Sequence, residues 1–210
     1  MADGAKARRL PRVVRERQMV DAAVRSFARH GYQAVSMDEI AELAGVSKPL
    51  VYLYLGSKEE LFTAVIRREA EALLGAVAAG VGGPAVPPDE RLWAGLLAFF
   101  THAAEHPDSW VVLSRQARTQ GEPFAGEAAR MRDEIVGFVA GLIAEAADGV
   151  GIGPRDVDAL AQALVGSAES LASWANETPG VTAKEAAATL MNFAWAGLGN
   201  LMKSERWSPR

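Results

Sequence analysis

Along most of the chain apolar residues recur every three or four positions, and almost no stretch alternates with the two-residue period of a strand. The pattern predicts an all-α protein. Met19, Val20, Ala23, Val24 and Phe27 form one stripe of a helix over about Arg12–His30, which Gly31 stops. A second helix starts after Ser36. Ser36 and Glu39 have the S-x-x-E spacing in which each side chain can satisfy a free backbone N–H of the other. That helix carries Ile40, Leu43 and Ala44 and ends at Gly45. A third starts after Ser47, with Pro49 in a first turn whose N–H groups have no intrahelical partner. Ser57 and Glu60 repeat the capping spacing and open a fourth helix that reaches about Ala79.

A glycine- and proline-rich loop covers Gly80 to Pro88. Further helices are predicted over about 89–105, 108–119, 124–148 and 154–176. Thr178-Pro179-Gly180 makes a turn, and Thr182 with Glu185 caps a last helix reaching about Lys203. The run Ile135–Ala144 is apolar on every face, which predicts burial. Gly149-x-Gly151-x-Gly153 has neither the preceding strand nor the spacing of a nucleotide site and reads as a loop.

The stretch Ala44–Leu61, AGVSKPLVYLYLGSKEEL, carries the candidate chemistry. On a helical wheel Val51 and Leu55 share one side, with Val46 just ahead, and can pack on Ile40 and Phe27. Pro49 and Leu53 point the opposite way with Leu50 near them, and Tyr52 and Tyr54 lie on the flanks. A helix this short must dock on a neighbour. A short helix, a glycine turn and a second helix docked by one edge is the helix-turn-helix arrangement, whose second helix enters the DNA major groove. Under that reading the Tyr52 and Tyr54 hydroxyls can reach phosphates on either wall of the groove. Lys58 sits beside free N–H groups at a helix start, a natural phosphate site. Ser47 and Lys48 can reach base edges or phosphates, while Pro49, Leu50 and Leu53 can press on thymine methyl groups. Ser36 completes the candidate DNA-binding set. The competing reading makes residues 37–55 ordinary core helices with the tyrosines at the rim.

Charge adds to this picture. The net charge of −4 combines a basic end with an acidic body: residues 1–30 carry eight Lys/Arg against three Asp/Glu. The arm Lys6 to Arg15 can lie along a DNA backbone or in a minor groove. A chain of 210 residues, half of them hydrophobic, can bury a sizeable core. It has no cysteine, which excludes disulfides and thiolate zinc sites. The longest apolar run is far short of the roughly 20 residues of a membrane span, and no apolar segment follows the basic start as in a signal peptide. A cytoplasmic protein is expected. G-x-S-x-G, H-E-x-x-H and P-loop signatures are all missing, so an enzyme is not expected, and no cofactor is called for.

Arg15–Phe62 resembles the DNA-binding domain of the TetR family of bacterial transcriptional regulators. The resemblance rests on Ala22-Ala23, Phe27, Gly31, Ile40-Ala41, Ala44-Gly45-Val46-Ser47, Tyr52 and Ser57-Lys58-Glu59-Glu60-Leu61. The chain departs from the family in having Leu53 where members often have His, and Leu55 where they usually have Phe. The resemblance implies an Ω-like dimer of nine or ten helices per chain, with Tyr52 and Lys58 as phosphate contacts. It also implies a DNA-binding domain over residues 1–56 and a ligand-sensing, dimerising domain over 57–210. The expected function is a ligand-responsive repressor that releases a near-palindromic operator when a small hydrophobic molecule binds; the alternative is a DNA-binding adaptor with no small-molecule effector.

Small residues on the last two helices are the expected homodimer surface: Ala161, Gly166, Ala168 and Ala172, then Ala187, Ala194, Gly197 and Gly199. Intrachain packing is the other use for them. A ligand pocket is expected among the helices between residues 89 and 176. Its candidate walls are Trp93, Phe100, Trp110, Met131, Ile135, Phe138, Leu171 and Trp174, with Ser114, Gln116, Glu169 and Ser170 as polar groups. His102 and His106 share a helix face at a spacing that can hold zinc, but no third ligand is evident, so no metal site is expected.

Overall fold

The computed structural model describes residues 11–147 and 152–202, with side chains described through Trp195. Every regular element among them is helical. In chain order they are α1 (Arg12–Ala34), α2 (Met37–Leu43), α3 (Lys48–Leu55), α4 (Lys58–Val81), α5 (Pro88–Glu105), α6 (Pro107–Val111), a π-helical turn (Val112–Gln116), α7 (Ala117–Thr119), α8 (Phe124–Ala146), α9 (Pro154–Glu177) and α10 (Ala183–Met202). Several expectations fall outside the described residues: the arm residues Lys6, Arg8 and Arg9, the loop positions Gly149 and Gly151, and Lys203. No helix among the described residues is long and apolar enough to cross a membrane.

The chain divides into two compact units, one through Val65 and one from Ile66. The first is built on α1, whose expected stop at Gly31 is a break in helical geometry there (φ 76°) rather than its end. Met19, Ala22, Ala23, Phe27, Ile40 and Val51 are buried from α1, α2 and α3, and Leu61, Phe62 and Val65 from the start of α4. Phe27 meets Phe62 edge-on at 4.8 Å between ring centres, and Tyr32 lies 4.9 Å from Phe62. The sequence expectation ended the first domain at residue 56. The first unit runs on to Val65 because the opening turns of α4 supply part of its core.

The second unit is centred on α5, α9 and α10. Leu96, Phe100, Trp110, Ala172, Ala187 and Leu190 pack into one core, while Val136, Ala161 and Val165 join α8 to α9 in a smaller one. The helix expected over 108–119 is interrupted by the π-turn. The Ser114 hydroxyl donates to the Trp110 carbonyl at 2.6 Å, a side-chain bond that competes with the helical ladder. The Trp110 indole N–H in turn donates to Ser173 Oγ of α9 at 3.3 Å. The run Ile135–Ala144 was expected to be buried on every face, yet only Val136 is fully buried. Gly137, Gly141 and Ala144 are exposed, while Ile135, Val139, Leu142 and Ile143 border a cavity.

The aromatic contact that closes the first unit sets its stability. Phe62→Ala should cost about 3–5 kcal/mol, the usual loss for emptying a fully buried phenylalanine site. Urea denaturation followed by far-UV circular dichroism should show the first unit's transition moving to lower urea. An unchanged transition would mean that Phe62 does not anchor α4 to the first unit.

Candidate nucleic-acid interface and apolar cavity

Two helices joined by a tight turn hold the N-terminal candidate site. Ser36 caps α2 by accepting from the Glu39 N–H at 3.1 Å. The Glu39 carboxylate accepts from Ser26 Oγ, which ties α2 to α1. Gly45 makes the turn with φ 66°, a conformation that side-chain-bearing residues adopt only at a cost. The α3 backbone then starts at Ser47 with Pro49 in its first turn, and Gly56 ends it. Ser57 and Glu60 form the complete reciprocal cap of α4, at 3.1 and 2.7 Å, and hydrogen bonding to the Ser57 backbone N–H first, then to its side chain, holds the Glu60 carboxyl below its ordinary pKa.

α3 is held by one side. Val51 is fully buried, and Leu50, Tyr54 and Leu55 are half-buried. Ser47, Lys48, Pro49, Tyr52 and Leu53 are exposed, Leu53 by 75%. This eight-residue helix therefore leaves Leu53 and Tyr52 open to water. Four basic groups are already engaged near it. Lys48 Nζ pairs with Asp38 at 2.8 Å, a contact that raises the lysine pKa. Lys58 Nζ donates to the Gln33 carbonyl at 3.2 Å and lies 4.5 Å from the centre of the Tyr32 ring; burial there lowers its pKa. The Arg12 guanidinium sits 5.1 Å from the centre of the Tyr54 ring. His30 lies 3.8 Å from Glu39. Of the expected residues, Ser36, Ser47, Lys48, Pro49, Tyr52 and Leu53 are exposed, and Leu50, Tyr54 and Lys58 are half-buried, all on α2, α3, the start of α4 or the caps of these helices.

The second unit contains an apolar cavity of about 140 Å³. Val77 and Val81 of α4, Leu92, Leu96 and Phe99 of α5, Ile135, Val139 and Ile143 of α8, Leu164 and Val165 of α9, and Trp195 of α10 face it. Gly95 lets α5 approach α4 closely, since a Cβ there would lie 3.0 Å from Val81 Cγ2. Arg91 is the one charged residue among the described residues of this wall. Its Nη1 pairs with Glu145 Oε2 at 2.9 Å, and its Nε is buried with no hydrogen-bond partner.

Of the expected pocket walls, the cavity takes only Ile135. Phe100 and Trp110 are core residues, and Trp93 and Leu171 pack on that core. Met131 is buried elsewhere on α8, Phe138 is half-buried away from the cavity, and Trp174 is 52% exposed on α9. Ser114 is used in the π-turn. Gln116 is half-buried and Ser170 exposed. Glu169 accepts from Arg118 at 2.7 Å and Arg132 at 3.2 Å, so its charge is already matched. The missed residues had one visible signal, a glycine in mid-helix at Gly95 with an arginine one turn before it. The rings of His102 and His106 lie 4.5 Å apart, tilted by 48°, and burial first, then His106, lowers the His102 pKa. No group of three or more metal-ligating side chains exists among the described residues.

The small residues expected to form a dimer surface mostly face inward. Ala161, Ala168, Ala172 and Ala187 are buried within the chain, Gly166 and Ala194 are half-buried, and Gly197 and Gly199 lie outside the residues with described side chains. What α9 and α10 expose instead is aromatic: Trp174, Phe193 at 73% and Trp195 at 37%.

Comparison with known proteins agrees with both halves of this geometry. Residues 19–65 match the family model for bacterial regulatory proteins of the tetR family, and residues 88–197 match a tetracyclin repressor-like C-terminal domain. The chain is 29% identical to the HTH-type transcriptional activator FasR of Mycolicibacterium smegmatis over 93% of its own length and 88% of FasR. It superposes on a TetR-like transcriptional regulator from Rhodococcus sp. RHA1 with TM-score 0.78 and 40% identity, over 91% of this chain and 99% of that one. FadR from Bacillus subtilis, solved in complex with stearoyl-CoA, shares the fold at TM-score 0.76 and 17% identity, over 86% of this chain and 98% of FadR. An all-α chain with a helix-turn-helix unit followed by a helical C-terminal domain, matched by family models in both parts, belongs to the TetR family of DNA-binding transcriptional regulators.

Proposed function

We propose that the chain works as a homodimer whose two α3 helices read a near-palindromic operator, and that a hydrophobic small molecule in the second-unit cavity lowers its affinity for that operator. The observation that carries the reading is α3 itself, anchored through Val51 with Tyr52 and Leu53 left in water. Tyr52 and Lys58 contact phosphate, Ser36, Lys48 and Tyr54 support the same backbone contacts, and Ser47, Pro49, Leu50 and Leu53 meet the base edges. Leu53 has no hydrogen-bonding group, so its contribution is apolar contact with thymine methyl groups. The exposed aromatics of α9 and α10 form the dimer contact in this reading, in place of the small residues.

The cavity supports an effector over the adaptor alternative. Its walls are almost wholly aliphatic and aromatic, as small-molecule sites are. The effector class that fits is an acyl chain, and FadR's bound stearoyl-CoA supports the same class. α4 supplies Phe62 to the first unit and Val77 and Val81 to the cavity wall, so a ligand that displaces those valines acts on the helix carrying Lys58. The effect on DNA binding equals the ligand's differential affinity for the two arrangements. A dimer bound across its promoter represses. Activation from an upstream site is the second reading, favoured by the likeness to FasR, which is named an activator.

Three measurements test this reading. Tyr52→Phe and Lys58→Ala should each weaken binding to the DNA upstream of the chain's own gene and to random DNA alike, and Lys58→Ala should reduce the salt slope by about one. Fluorescence anisotropy across a salt series reads both, and unchanged affinity in both variants would sink the phosphate roles. Phe193→Asp should convert the dimer to a monomer in sedimentation velocity, with helical content retained because the side chain is exposed. A dimer that survives it would place the contact elsewhere. Leu164→Trp should fill the cavity, preserving operator binding while abolishing its release by decanoyl-CoA; release at wild-type concentrations would remove the cavity from the mechanism.

A further inference from the structure

The cavity wall contains a single described charge, and that charge is incompletely used. Arg91 is one turn into α5, lines the cavity with Leu92 and Gly95 of the same helix, and has a side chain only 11% exposed. Guanidinium offers five N–H donors in a planar fork. Glu145 of α8 takes Nη1 at 2.9 Å, while the buried Nε has no partner. Glu145 itself is 56% exposed, so the pair straddles the edge of the cavity with the carboxylate toward solvent. An arginine serving only to tie α5 to α8 has no need of an apolar chamber beside it or of an unpaired buried donor. The edge made by Nε and the second Nη is one through which arginine can take a carboxylate or phosphate with two parallel bonds. Position adds to it, because the positive end of the α5 dipole lies in the same turn. Asp89 and Glu90 of that turn are exposed and do not line the cavity.

We propose that Arg91 anchors an acidic group at the head of the effector while its hydrocarbon body fills the cavity, and that Glu145 is the internal anion this group replaces. The inference rests on the cavity being the effector site. The ligand class narrows accordingly, from any hydrophobic molecule to an amphiphile with one hydrocarbon end and one anionic end. A free carboxylate and the phosphates of an acyl thioester carrier share that chemistry.

Isothermal titration of the full-length protein with decanoate, decanoyl-CoA and 1-decanol tests it, using wild type, Arg91→Met and Glu145→Gln. Methionine keeps the apolar stem, and decanol reports whether the cavity is intact. Wild type should bind at least one of the two anions roughly tenfold more tightly than the alcohol, the factor expected for one charge-assisted contact; which anion does so identifies the source of the acidic group. Arg91→Met should erase that preference with alcohol binding unchanged, and Glu145→Gln should tighten anion binding severalfold. Equal anion-to-alcohol ratios in wild type and Arg91→Met would overturn the anchor while leaving the cavity as the effector site. Unchanged anion binding in Glu145→Gln would overturn the replacement of Glu145. Failure of all three compounds to bind wild type would overturn the cavity reading and the anchor with it.

Discussion

The first unit depends on one constraint: a helix of eight residues has to be held rigidly by its neighbours without being covered by them. Helices this short are not stable alone in water. α3 solves the problem with a narrow footing, since Val51 is its one fully buried side chain and Leu50, Tyr54 and Leu55 are only half-buried. The rest of the unit exists to make that footing stiff. Gly45 sets the angle between α2 and α3, Glu39 fixes α2 to α1 through Ser26, and the reciprocal Ser57–Glu60 cap starts α4 directly after Gly56. Phe27 and Phe62 close the core behind them. With Val51 as the footing, Tyr52 and Leu53 of α3 stay in water.

The second unit obeys the opposite requirement, since it has to leave room. Its apolar cavity of about 140 Å³ is lined almost wholly by aliphatic and aromatic side chains. Protein cores ordinarily close such spaces with one larger side chain. Here the alternatives are built in by small residues and a close helix approach. Gly95 draws α5 against Val81, and Ala168 of α9, where a larger residue would intrude, also faces the cavity. The exposed glycines of α8 have no such explanation in the packing of a single chain.

The contrast between the units explains what the sequence revealed. Helices in the first unit, and their boundaries apart from the end of α1, were legible because capping serines, turn glycines and the apolar stripe are local signals. The placement of Tyr52 and Leu53 outside and Val51 inside follows from helical periodicity alone. The cavity was not legible in this way. A pocket wall and a core wall have the same composition, and only three-dimensional crossing decides which aliphatic side chain borders space. Phe100 and Trp110 were read as pocket walls because they are large and apolar, and they became core for the same reason. Ala161 and Ala172 were read as an interface between chains because small residues permit close approach, and they serve that purpose inside one chain. The π-turn depends on Ser114 reaching the Trp110 carbonyl, a choice between two local bonds that periodicity cannot resolve.

Charge distribution then ties the reading surface to its use. Lys48 and Lys58 are not free cations waiting for DNA. Lys48 is held by Asp38 in water, and Lys58 by a carbonyl and a ring face. Such partners restrict where the ammonium groups sit while giving up little that a phosphate would not restore. An exposed carboxylate is a weak, salt-screened partner. A phosphate in its place adds the release of condensed counterions. For Lys58, burial lowers the pKa while the Gln33 carbonyl and the Tyr32 ring already face its ammonium. The net charge of −4 is therefore no obstacle to the proposed role, in which a groove meets the local surface around α3 and the start of α4. The excess acid elsewhere in the chain favours approach by that end over the others.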